Sequence, residues 1–282
     1  MRPDVMLMQN AINDQHLETL QLYKKFFPET LRIITLDDLV TDLPEKSALY
    51  RHIKSNFRDA RRRLRQGLSQ VDRLIVTTEP LAQFCSEFIG DIHVIPNRLV
   101  KSKWWGLPTV RSASAKPRVG WVGAQQHQGD LEVLQEVIRA TANEVDWVFM
   151  GMWPEGLDDC IREKHHGVPF ADYPQAVARL NLDLALAPLE INAFNESKSN
   201  LRLLEYGAMG WPVVASDIFP YQTNQAPVKR VANTPEAWIE AIRERVNDLD
   251  AAYREGDALQ RWVGQHYLLE DHLDEWMSAY RR

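Results

Sequence analysis

The sequence predicts an α/β protein made of two parallel-sheet halves that face each other across a cleft. Three observations predict it. Short β-rich runs alternate with helical stretches along most of the chain. The alternation breaks once, over residues 99–117, where a basic and aromatic run is followed by small polar residues. It then resumes, dividing the 282 residues into residues 1–98 and a longer second half. The composition, 45% hydrophobic and 26% charged, is that of a globular chain large enough to bury its own core.

In the first half, Val5–Met8 opens as an apolar strand and His16 to Phe26 follows as a helix. Leu31–Thr35 is the next strand. Ile53, Phe57, Ala60, Leu64, Leu68 and Val71 then recur at helical spacing. Leu74–Thr77, Glu79–Phe88 and Ile92–Ile95 read as strand, helix and strand. In the second half, Arg118–Val122 is a strand, Asp130–Ala140 a helix and Trp147–Met150 a strand. Leu157 to Glu163 is expected to be helical. Pro174–Leu180 starts with proline in its first turn, a position where the missing N–H costs nothing. Leu184–Ala187 is a strand, Ser199–Ala208 a helix and Pro212–Ala215 a strand. Val228–Val231 is a short strand. Thr234-Pro235 caps a further helix, and Leu259–Tyr267 and Asp271–Tyr280 end the chain as helices.

Several classes fall away. Cys85 and Cys160 form no CxxC pair, which removes a disulfide scaffold and a zinc knuckle and favours a reducing compartment. No run of 18 apolar residues is present to span a membrane. Asp4 interrupts the apolar start, so no signal peptide is expected. A net charge of -6 gives no general reason to expect nucleic acid as a partner.

Two segments carry chemistry. Gly120-Trp121-Val122-Gly123-Ala124 lies where a first strand meets a first helix. Either a phosphate approaches the backbone there, or the glycines only turn the chain. The spacing is neither a dinucleotide fingerprint nor a P-loop. Asp130 suits an N-cap for the helix that follows. His127 either meets a phosphate or sugar oxygen or lines the surface. The second segment runs from Asp183 to Ser216. Lys198, Arg202 and Glu205 are spaced four and three apart, on one face if the helical turn reaches back to Lys198. Two cations suit a diphosphate; a carboxylate, which only accepts, suits vicinal hydroxyls. The competing reading is an exposed, ion-paired helix face. Asp248-Leu249-Asp250 is the only close D-x-D and sits in a charged helix, so no metal site is expected. Arg51, Lys54, Arg58, Arg61, Arg62, Arg63 and Arg65 make a basic helix. It is either a solvated face or a contact for anionic lipid headgroups.

Phe194-Asn195, Lys198-Ser199-Asn200-Leu201-Arg202-Leu203-Leu204-Glu205-Tyr206 and Gly210-Trp211-Pro212-Val213-Val214-Ala215-Ser216 together resemble the nucleotide-sugar site of group 1 (family 4-like) glycosyltransferases. These have the GT-B fold, two Rossmann-like domains facing across a cleft. Thr35-Leu36-Asp37-Asp38-Leu39, Val71 to Glu79 and Val94-Ile95-Pro96-Asn97 resemble the same family. The resemblance implies an acceptor-side domain over residues 1–98, shortened relative to the family. It implies a linker over 99–117, a nucleotide-sugar-binding domain over 118–258, and helices over 259–282 that pack back towards the first domain. Glu205 is similar to the second glutamate of the family's E-x7-E pattern, which holds the donor ribose. The first falls on Ser197. Lys198 and Arg202, with Ser199 and Asn200 between them, match diphosphate-binding positions. Gly123 and Ala124 match the glycine loop, Gly151 lies beside the nucleoside, and Phe170 and Tyr173 flank the base. Asp37, Asp38, His127 and Lys198 are the catalytic candidates. One of the two aspartates either orients the acceptor hydroxyl or caps its strand.

The implied activity moves a sugar from a nucleoside diphosphate sugar, a co-substrate rather than a cofactor, to a glycan or lipid-linked acceptor. The resemblance further implies retention at the anomeric carbon and no required metal. It implies a place in surface polysaccharide synthesis at the cytoplasmic side of a membrane, with peripheral contact to anionic lipid. Two other classes stay open: a sugar-nucleotide epimerase, and a non-catalytic module of a larger assembly.

Overall fold

The computed structural model describes residues 3–10, 13–43, 57–124 and 127–282. The first half forms β1 (Val5–Gln9), α1 (Asp14–Phe26), β2 (Leu31–Leu36), α2 (Phe57–Leu68), β3 (Arg73–Val76), α3 (Glu79–Cys85) and β4 (Ile92–Val94). The strands are parallel, in the order β1-β2-β3-β4. Because strand side chains alternate between faces, one stretch of β2 feeds two cores. Ile34 and Leu36 join Leu20 of α1, Leu64 and Leu68 of α2, and Leu81 and Cys85 of α3. Leu31 and Ile33 join Ile75 and Ile95 on the other face. Asn13 and Thr78 cap α1 and α3 by accepting from His16 and Leu81 amides. Three cations of α2 pair within the chain: Arg63 makes two hydrogen bonds to Asp14, Arg62 pairs with Asp59 and Arg61 with Glu87. Arg51 and Lys54 lie outside the described residues.

A short helix, α4 (Lys101–Trp104), occupies the connection. The second half forms β5 (Arg118–Val122), α5 (Gln128–Glu132), α6 (Gln135–Thr141), β6 (Asp146–Met150), β7 (Ile161–His165), α7 (Tyr173–Ala178), β8 (Leu184–Ala187), α8 (Ala193–Glu196), α9 (Leu201–Ala208) and β9 (Val213–Ser216). It continues through α10 (Phe219–Gln222), β10 (Lys229–Val231), α11 (Pro235–Val246), α12 (Leu249–His266) and α13 (Leu273–Ala279). Six parallel strands pair in the order β10-β9-β8-β5-β6-β7. β5, β8 and β9 are buried on both faces, as a parallel sheet between helix layers requires. Leu184 and Leu186 pack with Ile138 of α6 and Trp238 of α11. Ala185 and Ala187 pack with Leu203 and Leu204 of α9 and Leu259 of α12. Helices α9 and α12 approach closely because Gly207 and Gly256 lack side chains. A Cβ on Gly256 would sit 2.3 Å from the Gly210 carbonyl oxygen.

Four expectations are corrected. Residues 157–163 are not a helix: Ile161–His165 is the edge strand β7, paired with β6. Glu163 takes two hydrogen bonds from the Arg118 guanidinium of β5, at 2.7 and 2.9 Å, across the intervening β6. The helix expected over 130–140 is broken into α5 and α6, and Asp130 lies inside α5 rather than at its cap. The helix expected from Ser199 starts at Leu201, leaving Lys198 outside it. Of residues 259–282, only the end packs back on the first half. Leu259, Trp262 and Val263 of α12 pack on the second sheet, while Trp276, Ala279 and Tyr280 pack on the first. Asp248 caps α12 by accepting from the Ala251 amide at 2.9 Å. Among the described residues, no helix is long and apolar enough to cross a membrane, and no group of three or more His, Cys, Asp or Glu could hold a metal.

The Arg118–Glu163 pair gives a testable pH dependence. The guanidinium holds the Glu163 carboxyl at about 2, below its ordinary 4.5. A lowered carboxyl stabilises the fold fully above the unfolded value and loses that contribution as pH falls towards the folded one. Glu163→Gln is expected to lose about 1 kcal/mol at neutral pH after solvent screening is allowed for. Denaturant titrations should show this gap constant above pH 4.5 and narrowing between 4.5 and 2.

Candidate functional site

Among the described residues, the ten strands run parallel within their sheets, so each sheet presents the C-terminal ends of its strands along one edge. In the second sheet the chain leaves β5 towards β6 and later returns to its other side at β8. The loops after β5 and β8 therefore diverge and open a crevice, where ligands bind in sheets of this kind. A cleft of about 720 Å³ lies there. Asp37, Asp38 and Asn97, which follow β2 and β4, line its opposite side.

The structure brings together almost every residue singled out from the sequence. Asp37, Asp38, Gly123, Ala124, His127, Gly151, Phe170, Tyr173, Lys198, Ser199, Arg202 and Glu205 all line the cleft. Asn200 does not: it is buried, and its side-chain amide donates to the Thr223 hydroxyl at 3.2 Å. Asn200 instead occupies the N-cap position of α9.

Arg202 is the second residue of α9. Its guanidinium lies 5.3 Å from the Trp121 ring and 5.9 Å from the Tyr206 ring. Its Nη1 is sealed from solvent and has no hydrogen-bond partner among the described residues. Gly123 makes room for it, since a Cβ there would lie 3.0 Å from Nη2 and 2.4 Å from the Trp121 ring. The Gly123 amide already donates to the Met150 carbonyl at 3.0 Å. The glycine thus supplies space rather than a donor. Gly151 is fixed the same way: its φ is +91°, and a Cβ would fall 2.1 Å from the Gly123 carbonyl oxygen.

Lys198 sits just before α9, its Nζ 4.5 Å from the Phe194 ring and 3.7 Å from Asp38 across the cleft. Two further bonds cross at the same place. The Asn97 amide donates to the Ser199 hydroxyl at 2.9 Å, and the Thr78 hydroxyl donates to the Ser197 carbonyl at 2.8 Å. The Ser197 side chain turns away and donates to the Ala193 carbonyl.

Glu205 lies one helical turn beyond Arg202 and is 8% exposed. The Tyr173 hydroxyl donates to its Oε2 at 3.2 Å. Burial raises its carboxyl; the Arg202 charge and the Tyr173 bond pull it back. Tyr173 packs edge-on against Trp104 of α4, which ties the connection to this wall. Phe170 stands at the mouth, 77% exposed, under Lys103. His127 packs edge-on against Trp121, and its Nδ1 is 2.7 Å from Asp130 Oδ2. Burial lowers its pKa; the Asp130 bond acts against that, and the Arg202 and Lys198 charges reinforce it.

The sequence reading missed Asn97, Trp121 and Tyr221 as parts of the wall. Asn97 had a usable signal, being just past the end of a parallel strand. Trp121, inside β5, stood in the glycine segment already singled out without being named as a contact, and Tyr221, in the four-residue α10, had no signal.

No family model matches the sequence, and no curated protein matches it. Solved structures do match. Sucrose-phosphate synthase from Thermosynechococcus elongatus superposes with a TM-score of 0.70 at 16% identity, over 99% of this chain and 73% of that one. Trehalose 6-phosphate synthase from Burkholderia multivorans gives 0.69 at 12%, over 100% and 72%. A mutant of S. aureus TarM, in complex with UDP among other ligands, gives 0.68 at 14%, over 99% and 55%. The chain therefore spans about half the length of TarM. At these identities the likeness is one of fold, and it shows GT-B: two Rossmann-like domains of parallel sheets.

An unpaired buried cation costs stability that a neutral side chain of similar length avoids. Arg202→Met is expected to leave the unliganded protein as stable as the parent, or up to about 1 kcal/mol more stable. Its binding of pyrophosphate should weaken by about thirtyfold or more. Chemical denaturation and calorimetric titration check the two halves of this expectation.

Proposed function

We propose that the chain is a glycosyltransferase that transfers a sugar from a nucleoside diphosphate sugar to a glycan or lipid-linked acceptor. The observation that carries this reading is the sealed, unpartnered Nη1 of the Arg202 guanidinium on the cleft wall, with Lys198 beside it and Glu205 one turn beyond. A guanidinium nitrogen that has lost water and has no acceptor suits a ligand that brings one. Lys198 and Arg202 neutralise the diphosphate as it departs, where negative charge grows in the transition state. The Glu205 carboxylate, backed by the Tyr173 hydroxyl, accepts from the ribose hydroxyls. Phe170 and Tyr173 flank the base.

The first sheet supplies the acceptor side. Asp37 and Asp38 end β2 on the cleft, and one of them orients the acceptor hydroxyl. The charge that elsewhere comes from a divalent cation comes here from side chains, so transfer proceeds in the presence of chelator. The group 1 (family 4-like) resemblance supports retention at the anomeric carbon. It also supports a role in surface polysaccharide synthesis at the cytoplasmic membrane face. The UDP carried by TarM makes uracil the first base to test.

Glu205→Gln tests the donor site. Glutamine keeps the size and an acceptor for Tyr173, but replaces the second acceptor with a donor. Hydrogen bonds to a charged group contribute about 1.5–3 kcal/mol each, so losing one predicts a roughly tenfold to hundredfold loss of nucleotide affinity. The melting temperature without ligand should barely move. Titration of UDP, GDP, ADP and dTDP into parent and variant, with and without chelator, makes the comparison. Equal affinity of both proteins for every nucleotide that binds would refute the ribose assignment.

A further inference from the structure

A sugar ring presents hydroxyl groups that donate, so the wall that selects it needs acceptors. Among the cleft residues, Glu205 belongs to the nucleoside end and Asp38 faces Lys198. His127 remains on the cleft wall, and its chemistry depends on which nitrogen carries the proton.

Asp130 decides this. It is 5% exposed and held on three sides. Its Oδ1 accepts from the Glu190 amide at 2.7 Å and from the Asn195 side-chain amide at 2.9 Å. Its Oδ2 lies 2.7 Å from His127 Nδ1. A carboxylate only accepts, so Nδ1 carries the proton and Nε2 keeps its lone pair. The neighbouring charges work the same way. Arg202 and Lys198 both disfavour a second proton on the ring.

Position completes the argument. His127 and Arg202 share the Trp121 indole, one edge-on and the other at cation–π distance. Through Asp130, His127 is tied to Glu190 and Asn195, in the segment that leads to Lys198, whereas Glu205 is tied to Tyr173 of α7. In a nucleoside diphosphate sugar the diphosphate lies between nucleoside and sugar. With Glu205 at the nucleoside and the two cations at the diphosphate, His127 falls on the sugar side. We infer that His127 Nε2 accepts from one ring hydroxyl of the donor sugar and so selects it, and that Asp130 is the positioning residue that fixes this acceptor form. This rests on the donor-site reading above.

The test has two parts. Nitrogen-15 spectra of the imidazoles, with His127 assigned through a His127→Phe sample, should show the Nδ1-protonated tautomer in the parent. In Asp130→Asn, the side-chain oxygen stays with Glu190 and Asn195, which turns the amide nitrogen to His127. The spectrum should then report protonation at Nε2. An Nε2-protonated or doubly protonated ring in the parent at neutral pH overturns the inference.

The second part uses UDP, UDP-glucose and the derivatives of UDP-glucose in which one hydroxyl at a time is replaced by fluorine, which cannot donate. The parent should bind one derivative about tenfold more weakly than UDP-glucose. His127→Phe, which keeps a ring against Trp121, should abolish that discrimination and leave UDP affinity unchanged. Discrimination that persists in His127→Phe, or an equal loss for UDP and UDP-glucose, overturns it. A parent that binds no nucleotide at all removes the donor-site reading and this inference together. Normal UDP binding without hydroxyl discrimination removes this inference alone.

Discussion

A guanidinium with one nitrogen closed off from water and no acceptor opposite it is a local debt in any fold, and the second half is arranged around Arg202. Trp121 and Tyr206 offer it aromatic faces, which soften the loss of hydration without neutralising the charge. Gly123 yields the space that a side chain would take, and Gly151 in turn yields space to Gly123. Tyr206 also accepts the Val122 amide through its hydroxyl, so the helix carrying Arg202 is pinned to the central strand of the sheet. Four otherwise separate features of the sequence thus answer to one charge. The arrangement trades some stability of the empty protein for a strong, preorganised attraction to an anion, a pattern common to functional sites.

The strand-and-helix rhythm was legible because it rests on side-chain periodicity, which each segment carries in itself. β8 is a continuous apolar run, and β5 and β9 are apolar but for Arg118 at the start of one and Ser216 at the end of the other; at four or five residues they are too short for helices of this kind. Ile161–His165 misled for the same reason. Its composition is dominated by Arg162, Glu163, Lys164 and His165, and what makes it a strand is its pairing with β6, to which Arg118, 45 residues earlier in the chain, adds a side-chain bond to Glu163. Residues 130–140 misled differently. The apolar positions fit one helix, but Asp130 is drawn into bonds with His127, Glu190 and Asn195 and cannot serve as an end cap. Both errors come from partners remote in sequence.

The site was legible to a greater depth than its geometry. Lys198, Arg202 and Glu205 were found from their spacing, yet Lys198 is not on the helix that the spacing presumed. It reaches the same wall from the short connection between α8 and α9, which the first half contacts through Asp38, Thr78 and Asn97. Asn200 sits in the middle of the same motif and turns its side chain inward to Thr223. Spacing locates a motif; the local backbone decides which of its members face the ligand.

Three bonds from the first sheet, through Asp38, Thr78 and Asn97, land on three consecutive residues, Ser197, Lys198 and Ser199. The consequence concerns modularity. Two-domain proteins of this build invite the exchange of one half for another, so as to join a new acceptor preference to an old donor preference. Here the seam runs through a loop that lines the cleft itself. A transplanted first half that lacked an equivalent of Thr78 or Asn97 would alter the loop that presents Lys198, whatever its own acceptor chemistry. The halves of this chain are therefore recombinable only as a matched pair at that seam, although each has a sheet and a core of its own.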